Sequence, residues 1–353
     1  MIGEDDMNKR FKKISTIVLA CTLAMGMLAG CSNKAETSDE AVSTQEKQEL
    51  IKVVVSEFRG LNYGAVHIAD AMGFFEKEGL DVEFAVYGDG PVAFQGMHAG
   101  DSQFCLLSIE PVFRAFEQGL ESKVVGAFDT TRLYGFAGSK DITDIAQLKG
   151  KTVFAGAPGS APYSFIWSIL EEAGINPADD VTFAQMQYGA TIAALEQGTI
   201  DACYMDNYNR NKFEAIGANI LIDGADVETK KRVFGSEKFE GSIVTATKKF
   251  VDENPETVQK FMNATLMGAK WIQDHNDEEV AEVLMPYHDG STKEELVERI
   301  SLTRMAYSPD LKISDEGYEA MENFSIKTGV LTEKVGYDNI IDMSFVNKAH
   351  EKQ

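Results

Sequence analysis

The sequence predicts an α/β protein of two lobes, and three observations carry that prediction. Short apolar, strand-like runs alternate with helical periodicity from Ile51 onward. The same rhythm restarts at "LKGKTVFAG", which gives a second unit of similar size. After "GSIVTATKKFV" the strand-like runs stop and four amphipathic helices follow. Roughly 300 residues lie beyond the polar N-terminal stretch, enough for two core-bearing lobes.

The run "IKVVVSEF" reads as a strand, and "YGAVHIADAMGFFEKEG" keeps helical spacing until Gly73 interrupts it. "DVEFAVY" alternates at period two, and Gly88-Asp89-Gly90-Pro91 then opens the helix "VAFQGMHAG". "SQFCLLS" and "KVVGAF" are strands flanking a helix that starts at Pro111. Strand, helix and strand at this short spacing imply right-handed crossovers and a largely parallel sheet. In the second unit "KTVFAG", "DVTFAQMQ", "TIDACYMD" and "ANILID" supply strands, with helices after Pro162 and at "GATIAALEQG". The C-terminal helices have recognisable starts at Asn254-Pro255, Asn276, Ser291 and Ser314.

Ahead of these elements, Lys9, Arg10, Lys12 and Lys13 precede the charge-free run "ISTIVLACTLAMGMLAG", which ends at Cys31. Basic, apolar and small residues in that order are the plan of a secretory signal over 1–30, with Met7 as an alternative start. An uncleaved anchor is the competing reading, although the run is short for a membrane span. "LAGC" resembles a bacterial lipobox, which makes Cys31 the lipidation residue. Residues 31–50 are polar and read as a disordered tether. A formal net charge of −23 argues against nucleic-acid partners, which need a basic face. Cys105 and Cys203 sit in apolar strand-like runs and are expected as buried free thiols.

The stretch "VFAGAPGSAPYSFIW" has a glycine-rich junction that invites comparison with phosphate-binding loops. Ser160-Ala161-Pro162 stands where such a loop needs Lys followed by Ser or Thr. The dinucleotide pattern also fails, since no third glycine follows Gly156 and Gly159 in register. No nucleotide is therefore expected here. None of the five histidines falls in a cleft loop, and HExxH, CxxC and GxSxG are all absent from the sequence.

"NYGAVHIADAMGFFEKEGLDVEF", "MHAGDSQFCLLS", "DITDIAQLKGKTVFAGAPGSAPY", "LEEAGINPADDVTF", "AALEQGTIDACYMDNY" and "ATKKFVDENPETVQKF" occur in that order. Together they resemble the substrate-binding lipoproteins of ABC importers for sulfonate, nitrate, taurine and the pyrimidine precursor of thiamine. The resemblance covers nearly all of 51–346. It implies the periplasmic-binding-protein type II fold, in which two α/β lobes close over a ligand in the cleft between them and C-terminal helices complete the chain. Lobe 1 would comprise 51–134 and 242–346, lobe 2 would comprise 135–241, and the chain would cross near 134–137 and 242–247. Cys105 and Cys203 would then lie in different lobes. The resemblance also implies an extracytoplasmic monomer, held to the cell membrane by lipid on Cys31. It would hand a small solute to a separate permease and ATPase, with no catalysis, cofactor or metal.

Ligands of open α/β sheets sit beyond the carboxyl ends of the strands, and the resembled family uses the loops there. The candidate contacts are Asn62, Tyr63, Asp89, Ser108, Glu110, Gly159, Ser160, Tyr163, Tyr188, Asp206, Asn207 and Tyr208. The tyrosines offer flat walls with hydroxyl tips for a planar ligand, and the two asparagines offer paired donors and acceptors. Glu110 and Asp206, if they face the ligand, would select amino or protonated groups. Glu110 equally fits a role at the start of its own helix. Arg59 and Arg132 are the basic candidates near the cleft, each also readable as a solvated loop charge. The preferred solute is nitrogen-containing and thiamine-pyrimidine-like. The alternatives are alkanesulfonate, taurine or nitrate, and a pyrimidine-processing enzyme of the same fold.

Overall fold

The computed structural model describes residues 49–353. The signal, the lipobox at Cys31 and nearly all of the tether expected from the sequence lie outside the described residues. The chain first builds β1 (Ile51–Glu57), α1 (Gly64–Ala71), α2 (Phe74–Lys77), β2 (Leu80–Val86), α3 (Gly90–Ala99), β3 (Phe104–Ser108), α4 (Glu110–Glu117) and β4 (Ser122–Ala127). It then crosses to a second lobe of β5 (Tyr134–Gly138), β6 (Thr152–Phe154), α5 (Ala161–Glu172), β7 (Thr182–Phe183), α6 (Thr191–Glu196), β8 (Ala202–Asp206), α7 (Arg210–Ala215), β9 (Asn219–Ile222) and α8 (Val227–Phe234). β10 (Ser242–Thr247) returns to the first sheet, and α9 (Lys248–Glu253), α10 (Pro255–Asp274), α11 (Asp277–Leu284), α12 (Lys293–Thr303), α13 (Asp315–Lys327), α14 (Tyr337–Ile340) and α15 (Ser344–Lys352) complete the chain.

The first sheet has the order β2-β1-β3-β10-β4 and the second the order β7-β6-β8-β5-β9. Both are parallel apart from one antiparallel strand, β10 in the first and β5 in the second. Each exception is the first strand built after a crossing, so the chain enters each sheet against the direction set by its βαβ units. Tyr134 already pairs with Asp206 inside the second sheet. The crossing backbone is therefore 128–133 and 235–241, not the stretches 134–137 and 242–247, which are strands.

Helices α1, α10, α11, α12 and α15 bury their apolar faces in one core with β1, where Phe104 stacks on Phe261 at 4.1 Å. Gly268 permits the close approach of α10 to α1, since a Cβ there would stand 2.0 Å from the Ala65 carbonyl oxygen. Helix α13 takes a different place from its neighbours. Tyr318 on α13 meets Phe113 of α4 edge-on at 5.9 Å, and Phe324 meets Phe234 of α8 at 5.1 Å. One C-terminal helix thus packs against both lobes.

Asn276 and Ser314 cap their helices as expected, whereas the cap expected at Ser291 is made by Thr292 in a capping box with Glu295. Asn254 precedes α10 but makes no side-chain cap. Cys105 and Cys203 are free and buried, on β3 and β8. Burial pushes the Cys105 thiol up to about 12 and raises that of Cys203 as well. Among the described residues no helix is long and apolar enough to cross a membrane.

Candidate functional site

The carboxyl ends of β1, β2 and β3 face those of β6 and β8 across a cavity of about 450 Å³. The first lobe supplies Phe58, Gly60, Asn62, Tyr63, the turn 88–91, Leu107, Ser108 and Ser242. The second lobe supplies Tyr134, Phe154, Gly156, Ala157, Ser160, Pro162, residues 185–188, Tyr204, Asp206 and Tyr208. Five tyrosines and two phenylalanines line the cavity, four of the tyrosines and one phenylalanine on the second lobe's wall.

Asp206, the last residue of β8, is the electrostatic centre of the second lobe's wall. The Tyr204 hydroxyl donates to its Oδ1, and the Tyr208 hydroxyl donates to its Oδ2 at 2.8 Å. The Asp206 backbone N–H donates to the Tyr188 hydroxyl at 2.9 Å, and Asn209 Nδ2 donates to the same hydroxyl at 3.1 Å. Burial raises the Asp206 carboxyl above its ordinary value, while the Tyr204 and Tyr208 hydroxyls and the Arg299 cation pull the other way. Arg299 on α12 stands over the Tyr208 ring at 4.8 Å, which ties this wall to a C-terminal helix.

On the facing lobe, Asn62 Nδ2 donates to Ser242 Oγ at 3.0 Å, and Tyr63 sits edge-on to Phe128 at 5.6 Å. Asp89 caps α3 by accepting from the Val92 N–H at 2.9 Å. Ser160 caps α5 by accepting from the Tyr163 N–H at 3.4 Å. The two glycines of the junction before α5 have backbone reasons for being there. Gly156 and Gly159 hold φ of 86° and 87°, in the left-handed region.

The structure brings Asn62, Tyr63, Asp89, Ser108, Ser160, Tyr188, Asp206 and Tyr208 to the cleft. It places Glu110, Gly159, Tyr163 and Asn207 elsewhere. The Glu110 carboxylate is fully buried against the Arg132 guanidinium, with Nη2 donating to Oε2 at 3.3 Å. Glu110 is thus paired inside the core, and Arg132, which lines a small cavity of about 20 Å³ beside Asn62, Tyr134, Asp206 and Tyr208, is not a solvated loop charge. Arg132 also lies over the rings of Phe239 and Tyr134 at 4.3 and 4.8 Å. Gly159 is turned toward Arg114, outside the cavity lining. Tyr163 packs on Phe183 and Trp167, at 5.0 and 5.7 Å, because its place in the first helical turn points it along the flank of α5. Asn207 is buried behind the wall, and its backbone N–H donates to the Leu133 carbonyl at 2.9 Å.

Arg59 also turns away from the cleft. Its Nε meets Glu57 at 2.7 Å, and Glu57 holds the buried His67 at 2.7 Å on its other oxygen. His67 in turn stacks on Tyr287 at 4.7 Å, so the histidine is packed in the core. The sequence reading missed Tyr134, Tyr204, Phe154, Gln185, Gln187 and Ser242. Tyr204 was within reach, since it lies two residues before Asp206 on the same strand and so shares its face. Nothing local marks the others, which reach the cavity through the crossing and the ends of short strands.

Among the described residues no cluster of His, Cys, Asp and Glu has the arrangement of a metal site. Residues 61–279 match the family model described as NMT1/THI5 like. The chain is 25% identical over 351 residues to a putative aliphatic sulfonates-binding protein of Bacillus subtilis, covering 96% of this chain and 98% of that one. It is 25% identical over 276 residues to the formylaminopyrimidine-binding protein of Halalkalibacterium halodurans, covering 76% and 77%. A solved chain from Bordetella bronchiseptica RB50 superposes with a TM-score of 0.76 at 25% identity, covering 86% of this chain and 98% of that one. The desulfurization enzyme DszB superposes at 0.59 with 16% identity, covering 86% and 99%, a likeness of fold alone. The architecture is that of periplasmic binding proteins, with two α/β lobes, a cleft between them and helices at the C-terminus.

Proposed function

The chain belongs to the NMT1/THI5-like family, and we propose that it is the solute-binding component of an ABC importer. It captures a small, planar, nitrogen-containing solute between its lobes and delivers it to a separate permease with its ATPase. The observation that carries this reading is the lining of the cleft, where both lobes present tyrosines, three of them hydrogen-bonded to the half-buried Asp206, and the ionisable side chains besides tyrosine are Asp89 and Asp206. Flat aromatic walls suit a ring, and acceptor groups suit its amino or protonated nitrogens. The aminopyrimidine named for one relative fits that description.

Binding of this kind requires no bond chemistry, only a closed state that the solute favours. The chain acts outside the cytoplasm as a monomer, held to the membrane by lipid on Cys31. Asn62, Tyr63, Asp89, Ser108, Ser160, Tyr188, Asp206 and Tyr208 contact the solute. A relative spanning 96% of the chain is named for aliphatic sulfonates, and an alkanesulfonate is accordingly the second reading. Thermal-shift screening of the full chain against aminopyrimidines, flavins, polyamines, sulfonates and nitrate tests both, because a ligand that binds the folded state raises the melting temperature. A shift by an aminopyrimidine supports the first reading. A shift by sulfonates alone overturns it, and slow conversion of a bound compound to product would replace binding by catalysis.

A further inference from the structure

Resting on that reading, we propose that the cleft disfavours oxyanions by withholding the second and third N–H groups of its two helix starts. Pro91 and Pro162, together with the caps Asp89 and Ser160, act as the specificity determinants. A helix start is the ordinary protein site for an oxyanion, because its first N–H groups are unpaired and lie at the positive end of the helix dipole. Two helices, α3 and α5, begin on the wall of this cavity, through Asp89, Gly90 and Pro91 on one side and Ser160 and Pro162 on the other.

Both starts are silenced in the same way. The second residue of each helix is a proline, which has no N–H to give. The third N–H is taken by the helix's own cap, Val92 by Asp89 and Tyr163 by Ser160. Within each helix only the first N–H, on Gly90 and Ala161, stays open, together with the N–H of the Asp89 cap itself. Helix α4, which starts just behind the cavity residue Ser108, repeats the pattern. Its second residue is Pro111, and its third N–H, on Val112, bonds to the Ile109 carbonyl at 2.9 Å.

Charge acts in the same direction. Among the described residues lining the cavity, Asp89 and Asp206 are the acids, and no lysine, arginine or histidine joins them. The nearby cations are engaged elsewhere, Arg59 by Glu57, Arg132 by Glu110 and Arg299 by the Tyr208 ring. Arg114 stands by Gly159, outside the lining. A sulfonate or nitrate would leave its hydration shell for two carboxylates and helix starts that have each lost their second and third N–H groups. A solute that donates hydrogen bonds meets acceptors at Asp89, Ser108, Gln187 and Asp206 instead.

The test is titration of the full chain with aminopyrimidine, methanesulfonate and nitrate, followed by thermal shift and calorimetry. The same probes are applied to the variant Ser160→Ala/Pro162→Ala, which restores the second N–H of α5 and frees the third. The wild-type chain is expected to respond to aminopyrimidine and to neither anion, and the variant to gain at least about tenfold in affinity for methanesulfonate or nitrate. A circular-dichroism melt confirms that the variant is folded. Wild-type chain that binds either anion as tightly as aminopyrimidine overturns the inference and leaves the solute-binding reading standing. A folded variant still blind to both anions overturns the role given to the proline and cap. Wild-type chain that responds to none of the probes overturns the inference and the aminopyrimidine reading together.

Discussion

Glu110 and Arg132 form an ion pair sealed inside the protein, joining the first residue of α4 to the crossing segment that leads into the second lobe. Taking two charges out of water is expensive, so such a pair holds only while both partners are present. Glu110→Gln should therefore cost about 3–5 kcal/mol of stability by stranding the guanidinium. Urea denaturation measures that loss. Affinity for any cleft probe should change less than about twofold in the fraction that remains folded. A large loss of affinity without loss of stability would return Glu110 to the ligand site.

Asp206 presents the opposite expectation. Its carboxylate organises Tyr204 and Tyr208 at the cavity wall. Asp206→Asn should weaken a donor-bearing probe such as aminopyrimidine by at least about tenfold, which is roughly 1.4 kcal/mol. Tyr208→Phe removes one hydrogen bond to the carboxylate and should cost about 1 kcal/mol of stability. Calorimetry on both variants separates the two effects, and an unchanged affinity in Asp206→Asn would remove the carboxylate from recognition.

Asp129, in the segment that leads into the second lobe, accepts at Oδ1 from the N–H of Ser242, the first residue of β10, at 3.0 Å. Burial pushes its carboxyl up to about 7, against the Ser242 donors and Arg132, with Glu240 adding to the rise. The folded pKa lies above the unfolded one, so the folded state binds the extra proton between about 4 and 7. Its contribution to stability is therefore present at low pH, declines as pH rises through that window, and is flat above it. Asp129→Asn should remove that slope in a series of denaturant melts across pH. An unchanged slope would assign it to other groups.

Cys105 and Cys203 are buried on β3 and β8, in sheets of different lobes. Their raised thiol pKa values leave almost no thiolate at neutral pH. Neither thiol should react with a thiol-specific reagent in the native protein, and both should react at once in urea. Rapid native labelling of either would show that its strand opens locally.

Much of this protein was legible in the sequence because much of it is local. Period-two and helical spacing placed the strands of both sheets apart from β5, along with four C-terminal helices, and Gly73, with φ of 66°, stopped α1 where the sequence breaks. The ordered motifs gave the fold, and the ends of the strands gave the cleft, since loops after parallel strands gather on one edge of a sheet. Short elements such as α7 and α14 carry too few turns for their periodicity to stand out.

The destination of the charges was decided by tertiary structure alone. The sequence reading set Glu110 beside Asp206 as a second candidate for the ligand, yet one is neutralised by Arg132 in the core and the other faces the cavity. No local pattern distinguishes them, because a carboxylate's partner depends on which distant segment crosses in front of it. The same holds for the junction at 156–160, whose glycines announced a turn but not its orientation. In the folded chain Ser160 caps its own helix, Gly159 faces Arg114, and Pro162 presents an N–H-free wall to the cleft. Sequence determined the lobes and the edge where they meet, and long-range packing determined which polar groups remain free there.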